Sequence, residues 1–274
     1  MKKHLFLIIF LIAFPTFASA EPYRQYCQQT TNPANVAVNR DEIPAGLQRL
    51  LKAYPDHLKS ATSNALIWKD GSETIYDAGV KHENYDHLLN FPSLFDQLSM
   101  AYPIGALKTP PEKNFDPGRV RYEPFFQKMY GKNESEVRAK LTAIAWMPNT
   151  VNKKILITTV NGVHEKLQAV SNELDNLPPQ LKKYVTELGG TFNWRPIAAT
   201  NRLSPHSYGI AIDINVKFSN YWQWENPNPN ANLPYKNKIP MEIVTIFEKH
   251  GFIWGGKWYH YDTMHFEYRP ELLE

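Results

Sequence analysis

Two histidines and two aspartates, distant in the chain, have neighbours that would let them act together. His206 stands in the polar, turn-prone start of SPHSYGIAIDINV (204–216), and Asp213 interrupts the apolar run that follows. In a strand, alternate side chains share a face. Ala211, Asp213 and Asn215 would then lie on one side, and Ile210, Ile212 and Ile214 on the other. The isoleucines can hold the strand down while the carboxylate faces a polar cleft. A carboxylate buried without a partner is costly, so a metal ion, an arginine or a hydrogen-bond network has to offset it. Gly209 allows a sharp turn between loop and strand. In WYHYDTMHFEY (258–268), Met264, Phe266 and Tyr268 alternate with His265 and Glu267, so His265 also projects from one strand face.

His206, Asp213 and His265 make two imidazoles and one carboxylate. That is a typical protein ligand set for catalytic zinc, with the fourth position left to water. Asp262, three residues before His265, is placed to sit near such a water without binding metal. There a carboxylate could accept the water's proton and pass it to a leaving amine. The alternative reading of the same residues is a pair of ordinary histidines and a salt-bridged aspartate.

The composite pattern Ser204-x-His206-x-x-Gly209-x-Ala211-x-Asp213, then Trp254-Gly255-Gly256-x-Trp258 and Asp262-x-x-His265-Phe266-Glu267, resembles the zinc D-alanyl-D-alanine carboxypeptidase family. That family includes vancomycin-resistance D-Ala-D-Ala peptidases and the L-alanyl-D-glutamate endopeptidases of cell-wall turnover and phage lysis. The resemblance covers about residues 188–270 and implies an α+β fold shared with the hedgehog signalling domain. Carried over by position, it implies zinc ligands His206, Asp213 and His265, and Asp262 as catalytic base. Aspartate at 262, where many members have glutamate, resembles the endopeptidase branch more than the dipeptidase branch. Arg195 resembles the family arginine that engages the substrate carbonyl or carboxylate, a task suited to a permanently charged, forked donor. Its context here is Trp194-Arg195-Pro196, and Arg202 is the runner-up, with a surface salt bridge as its plainer role. Ser204 either hydrogen-bonds substrate or caps its loop.

Competing signals fail. HEKLQ (164–168) has Gln168 where the zinc helix needs its second histidine. His82 and His87 are a weak metal pattern in a solvated loop, and His260 falls outside the composite motif, free to stack or donate nearby. No nucleophile elbow and no phosphate-binding glycine loop occur. Trp254 and Trp258 read as wall and core, with one of them a candidate for the substrate groove.

The elements that must position these groups are legible in outline. Leu47, Leu50 and Leu51 predict a helix within 43–58, and Asp70-Gly71 a hairpin within 65–79. Residues 90–120 have no period. Val137, Leu141, Ile144 and Ala145 predict a helix over 135–146, followed by a strand at 154–160. Val163, Leu167, Val170 and Leu174 predict a helix capped by Asn161. Pro178-Pro179 opens a short helix that Gly189-Gly190 ends, and residues 239–251 form another with Ile243, Ile246 and Phe247 inward. FIWGG and MHFEY read as closing strands, and 224–238 as a long loop beside the site. This order predicts an α+β fold in which helices pack on a mainly antiparallel sheet carrying the zinc site. It divides the chain into a signal peptide (1–20), an N-terminal extension or small domain (21–130) and a zinc peptidase domain (131–274).

Lys2-Lys3, the apolar run from Leu5 to Phe14 and Ala18-Ser19-Ala20 predict secretion with cleavage after Ala20, hence a periplasmic or secreted protein with no membrane span afterwards. Cleavage removes two lysines and no acid, so the net charge of +3 falls to about +1. With no arginine-rich stripe, nucleic acid is not an expected partner. The single cysteine, Cys27, excludes an internal disulfide and a cysteine zinc site, and reads as a buried thiol. The expected function is an exported zinc peptidase acting on peptidoglycan stem peptides, by carboxypeptidase or endopeptidase cleavage. The alternative is a non-catalytic, zinc-containing cell-wall-binding module of the same fold.

Overall fold

The computed structural model describes residues 42–226, 228 and 232–273; the expected leader, its cleavage site and Cys27 lie outside them. Leucine spacing makes helix α1 (Ala45–Ala53), which buries Leu47 and Leu50 completely. An antiparallel meander of β1 (Leu58–Ala61), β2 (Ala65–Trp68) and β3 (Glu73–Ile75) follows. Its second turn is the expected Asp70-Gly71, where Gly71 takes φ +83°. Two short helices, α2 (Tyr85–Asn90) and α3 (Leu94–Leu98), start on side-chain caps from Asn84 and Ser93. Residues 99–122 contain no helix or strand, in line with their missing period. Helices α4 (Glu123–Tyr130) and α5 (Glu134–Arg138) lead into the second half.

The expected helix over 135–146 is corrected here. It ends at Arg138, and residues 141–146 form β4 (Leu141–Trp146), paired antiparallel with β5 (Lys153–Thr158) from Leu141↔Thr158 to Trp146↔Lys153. In so short a run an apolar spacing of three to four cannot be told from alternation, and Ile144 and Trp146 are buried as a period-two pair. The neighbouring KILIT run supplies the partner that decides between them.

Helix α6 (Val163–Asp175) buries Val163, Leu167, Val170 and Leu174, the predicted face, against the β4–β5 hairpin. Its cap is Gly162 in the left-handed region; Asn161 precedes the cap at φ +58°. Helix α7 (Pro179–Lys182) is a single turn that stops well short of Gly189. After it come β6 (Ala211–Asp213), α8 (Trp222–Glu225), α9 (Met241–Lys249), β7 (Phe252–Trp254) and β8 (His265–Tyr268). The last three strands form an antiparallel sheet in the order β6-β8-β7. Helix α9 covers it, with Phe247 stacked on Phe266 at 3.8 Å between ring centroids. The fold is therefore α+β, built from small antiparallel sheets and several helices.

One hydrophobic cluster runs from Leu47 to Leu272, so the described residues before 130 share their core with those after it. Long-range polar contacts tie the two stretches together. Tyr54 donates to Glu271 at 2.6 Å, Tyr102 to Glu248 at 2.7 Å, and Trp258 Nε1 to the Pro117 carbonyl at 2.6 Å. Among the described residues, no helix is long and apolar enough to cross a membrane.

Candidate metal centre

The first imidazole is set by a capped turn. Ser204 is buried, and its Oγ accepts from the His206 backbone N–H, opening a one-turn 3-10 helix over Pro205–Tyr208. Gly209 closes that turn at φ +64°, and a Cβ there would stand 2.7 Å from Leu141 Cδ2 and 3.2 Å from the Thr158 backbone nitrogen. Gly209→Ala is expected to lower stability by about 1–3 kcal/mol, since it combines backbone strain with a clash. Thermal unfolding checks this; an unchanged Tm would show that the turn relaxes freely.

The second imidazole is set by register. Antiparallel pairing puts Asp213 of β6 directly opposite His265 of β8. The Gly189 and Gly190 N–H groups bond the Asp213 carbonyl, fixing the strand from its other side. The three donors converge: His206 Nε2 lies 3.1 Å from Asp213 Oδ1 and 3.3 Å from His265 Nδ1, and His265 Nδ1 lies 3.0 Å from Asp213 Oδ1. Both histidines are buried, while the Asp213 side chain keeps 20% of its surface exposed, so the group opens on one side.

The donor set fits a divalent metal. Tetrahedral zinc at about 2.0–2.2 Å from each ligand spaces neighbouring donors by roughly 3.2–3.6 Å, close to these separations. Each imidazole also turns its other nitrogen to an acceptor, as metal-binding histidines do. His206 Nδ1 meets the Thr191 carbonyl at 2.5 Å, and His265 Nε2 meets Glu267 at 3.1 Å. Glu267 is in turn held by Arg121 at 3.2 Å and Arg269 at 3.0 Å. Charge points the same way. Burial works against the Asp213 anion, yet His206 and His265 hold its carboxyl far below the usual range. Burial opposes protonation of His265 too, yet its bonds to Asp213 and Glu267 raise it to about 10. The centre calls for positive charge, and a metal would displace the proton that supplies it here. It is the only three-residue group of His, Cys, Asp and Glu with metal-binding spacing among the described residues. The His82–His87 pair instead meets Asp96, at 3.0 Å from His82.

Asp262 sits three residues before His265, and its backbone pairs with Tyr221 across an isolated bridge. Its Oδ1 is buried with no hydrogen-bond partner. Burial first, and then the nearby Asp213 charge, push its carboxyl up to about 6. Such a group can carry a proton in either direction near neutral pH.

Of the remaining sequence candidates, Arg195 has an anchored backbone and an outward side chain. Its N–H donates to Ser207 Oγ at 2.9 Å, while its exposed guanidinium meets only the Pro196 carbonyl, at 3.4 Å. It lies near enough to Tyr221 to act on it electrostatically. Among the described residues, the half-buried Arg202 makes no salt bridge, and its Nε has no partner. Trp254 and Trp258 are both buried in the core, and the Trp258 ring stands 5.7 Å from the His265 ring. The described part of the 224–238 loop packs beside the site, with Tyr235 donating to the Gly256 carbonyl and its ring edge-on to Tyr261.

Sequence reasoning missed the contribution of residues 115–121. Asp116 holds His260 through both its backbone N–H and Nδ1, at 2.9 and 2.6 Å, and takes a further bond from Tyr85. Arg119 donates to the His260 carbonyl at 3.0 Å. The signal was the string Asp116-Pro117-Gly118-Arg119-Val120-Arg121, two arginines at strand-like spacing behind a turn, but nothing local says where such a turn docks.

No curated protein and no solved structure matches the chain. Residues 198–268, which carry Ser204, His206, Asp213, Asp262 and His265, match a protein-family model described as D-alanyl-D-alanine carboxypeptidase, and this supports a peptidase.

Proposed function

We propose that the protein is a zinc-dependent peptidase that is exported and hydrolyses peptide bonds in peptidoglycan stem peptides. The observation that carries this reading is the convergence of His206, Asp213 and His265 near Asp262, whose buried Oδ1 has no hydrogen-bond partner, within the stretch that matches a peptidase family. Zinc held by these three residues would supply Lewis-acid polarisation of the scissile carbonyl and make water a nucleophile near neutral pH. Asp262 takes the proton from the attacking water and delivers it to the departing amine. Glu267 orients the His265 ring, and Thr191 fixes the His206 ring through its carbonyl. Arg195, exposed beyond Tyr221, meets substrate at the rim. Ser204 serves by holding the turn that carries His206, and residues 131–274 form the peptidase domain, braced by the segment before it. The basic, apolar and small-residue order of residues 1–20 supports export, to where peptidoglycan lies.

The test is digestion of purified muropeptides followed by mass spectrometry. The zinc-loaded protein should release a defined peptide or D-alanine, and a chelator should stop the release. Zinc bound at one equivalent with no product under any condition would favour a binding module of the same fold.

A further inference from the structure

The irregular segment before α4 does more than brace the site. Arg119, outside the family-matched stretch, places its guanidinium 5.8 Å from the Trp258 ring centroid and 5.9 Å from that of Trp222. Trp258 is the same ring that stands 5.7 Å from His265. Among the described residues, Arg119 has one side-chain hydrogen bond, to the His260 carbonyl, and no carboxylate within ion-pair distance. Burial opposes the Arg119 charge, but Asp116 first, and more weakly Asp262, favour it; the buried Asp262 Oδ1 itself has no hydrogen-bond partner. Arg119 therefore lies one indole ring away from His265 and makes no ion pair among the described residues.

More positive charge lies behind. Arg121 donates to the Arg119 carbonyl at 3.1 Å and lines a small cavity with Arg202 and Glu123. Arg121 is neutralised by Glu267, whereas Arg202 has no ion pair and a buried, unpartnered Nε. Burial, then Arg121 and Arg119, depress Arg202 to about 10, with Glu123 acting the other way. A neutral carbonyl would leave Arg119 and Arg202 without an ion pair, while a carboxylate would supply one and match the forked donor geometry.

We propose that Arg119, held between Trp222 and Trp258 with Arg202 behind it, is the binding residue for a carboxylate of the peptide substrate. This rests on the peptidase reading and deepens it. A terminal carboxylate there makes the enzyme a carboxypeptidase; an acidic side chain or internal α-carboxylate of the stem peptide makes it an endopeptidase.

The test compares three forms of one N-acetylated stem peptide: unblocked, C-terminally amidated, and amidated only at its internal carboxyl groups. Zinc-loaded full-length wild type, Arg119→Gln and Arg119→Lys are assayed for kcat and KM. One block should lower wild-type kcat/KM roughly 30- to 100-fold, mainly through KM, and so identify the carboxylate. Arg119→Gln should show that loss on the unblocked peptide and no further loss on adding the block, and Arg119→Lys should recover part of it. Calorimetry on metal-free protein should show the same difference between peptides. Wild type indifferent to both blocks, or a glutamine or lysine variant with full wild-type sensitivity, overturns the proposal and leaves the peptidase standing. Zinc-loaded wild type that cleaves none of the three removes the peptidase reading, and this proposal with it. Should the glutamine variant lose its zinc or its near-ultraviolet dichroism, the lysine variant, which keeps the charge and loses the fork, decides by the same criterion.

Discussion

Replacing His206 with alanine is expected to remove bound zinc and hydrolysis together, with turnover falling by about three orders of magnitude or more. The imidazole contributes one corner of a group whose sides are 3.0–3.3 Å long, and the Thr191 carbonyl that orients it has no other ring to hold. The remaining pair, Asp213 and His265, would still attract a cation, but two ligands do not hold zinc against a chelator. Metal analysis beside a peptide-release assay reads both losses. Full activity in a metal-free preparation would end the zinc reading outright.

Asp262→Asn is expected to do the reverse, keeping one equivalent of zinc and losing about a thousandfold or more in kcat, because an amide cannot take the water's proton. This variant should also be more stable than wild type when metal-free. Asp262 has its folded-state pKa raised, to about 6, so the folded state holds a proton that the unfolded chain releases at lower pH. Stability is then greatest below the unfolded carboxylate's pKa and is lost as pH rises through about 6. At pH 7 the wild type bears that loss in full and the asparagine variant does not, a gain of about 1–3 kcal/mol. Thermal unfolding of metal-free protein at pH 4 and pH 7 should show the gap between the two opening with pH. A variant less stable than wild type at both pH values would mean that the Asp262 carboxylate is held by bonds not apparent in the structure.

The ligand set could be read from the chain because strand alternation is a local property. Asp213 among isoleucines, and His265 between Met264 and Phe266, each declare a face without knowing what lies opposite. Their meeting across β6 and β8 then follows from antiparallel pairing. The same alternation puts Glu267 on the His265 side, so its role behind the imidazole was within reach. Two things were not. The run from Leu141 to Trp146 satisfies helical spacing by coincidence, and only its partner strand reveals it as β. Arg119 and Asp116 sit in a segment with no period at all, and what aims them is a set of side-chain-to-backbone bonds with residues 258–260, some 140 positions on. Local pattern cannot foretell a long-range docking of irregular chain.

The carboxylates at the end of the chain limit how this enzyme could be rearranged. Glu267 and Glu271 are fully buried, and Arg121 and Tyr54, far upstream, share with Arg269 the task of satisfying them. A gene fragment that began at residue 131 would encode every metal ligand and still inherit two buried acidic groups, each short of one partner and leaning on Arg269 alone among the arginines, at about 1–3 kcal/mol of cost apiece. Such a fragment is not a portable cassette. Recombination that moved it alone would deliver the chemistry without the scaffold that tolerates it, so the upstream hundred residues have to travel with it.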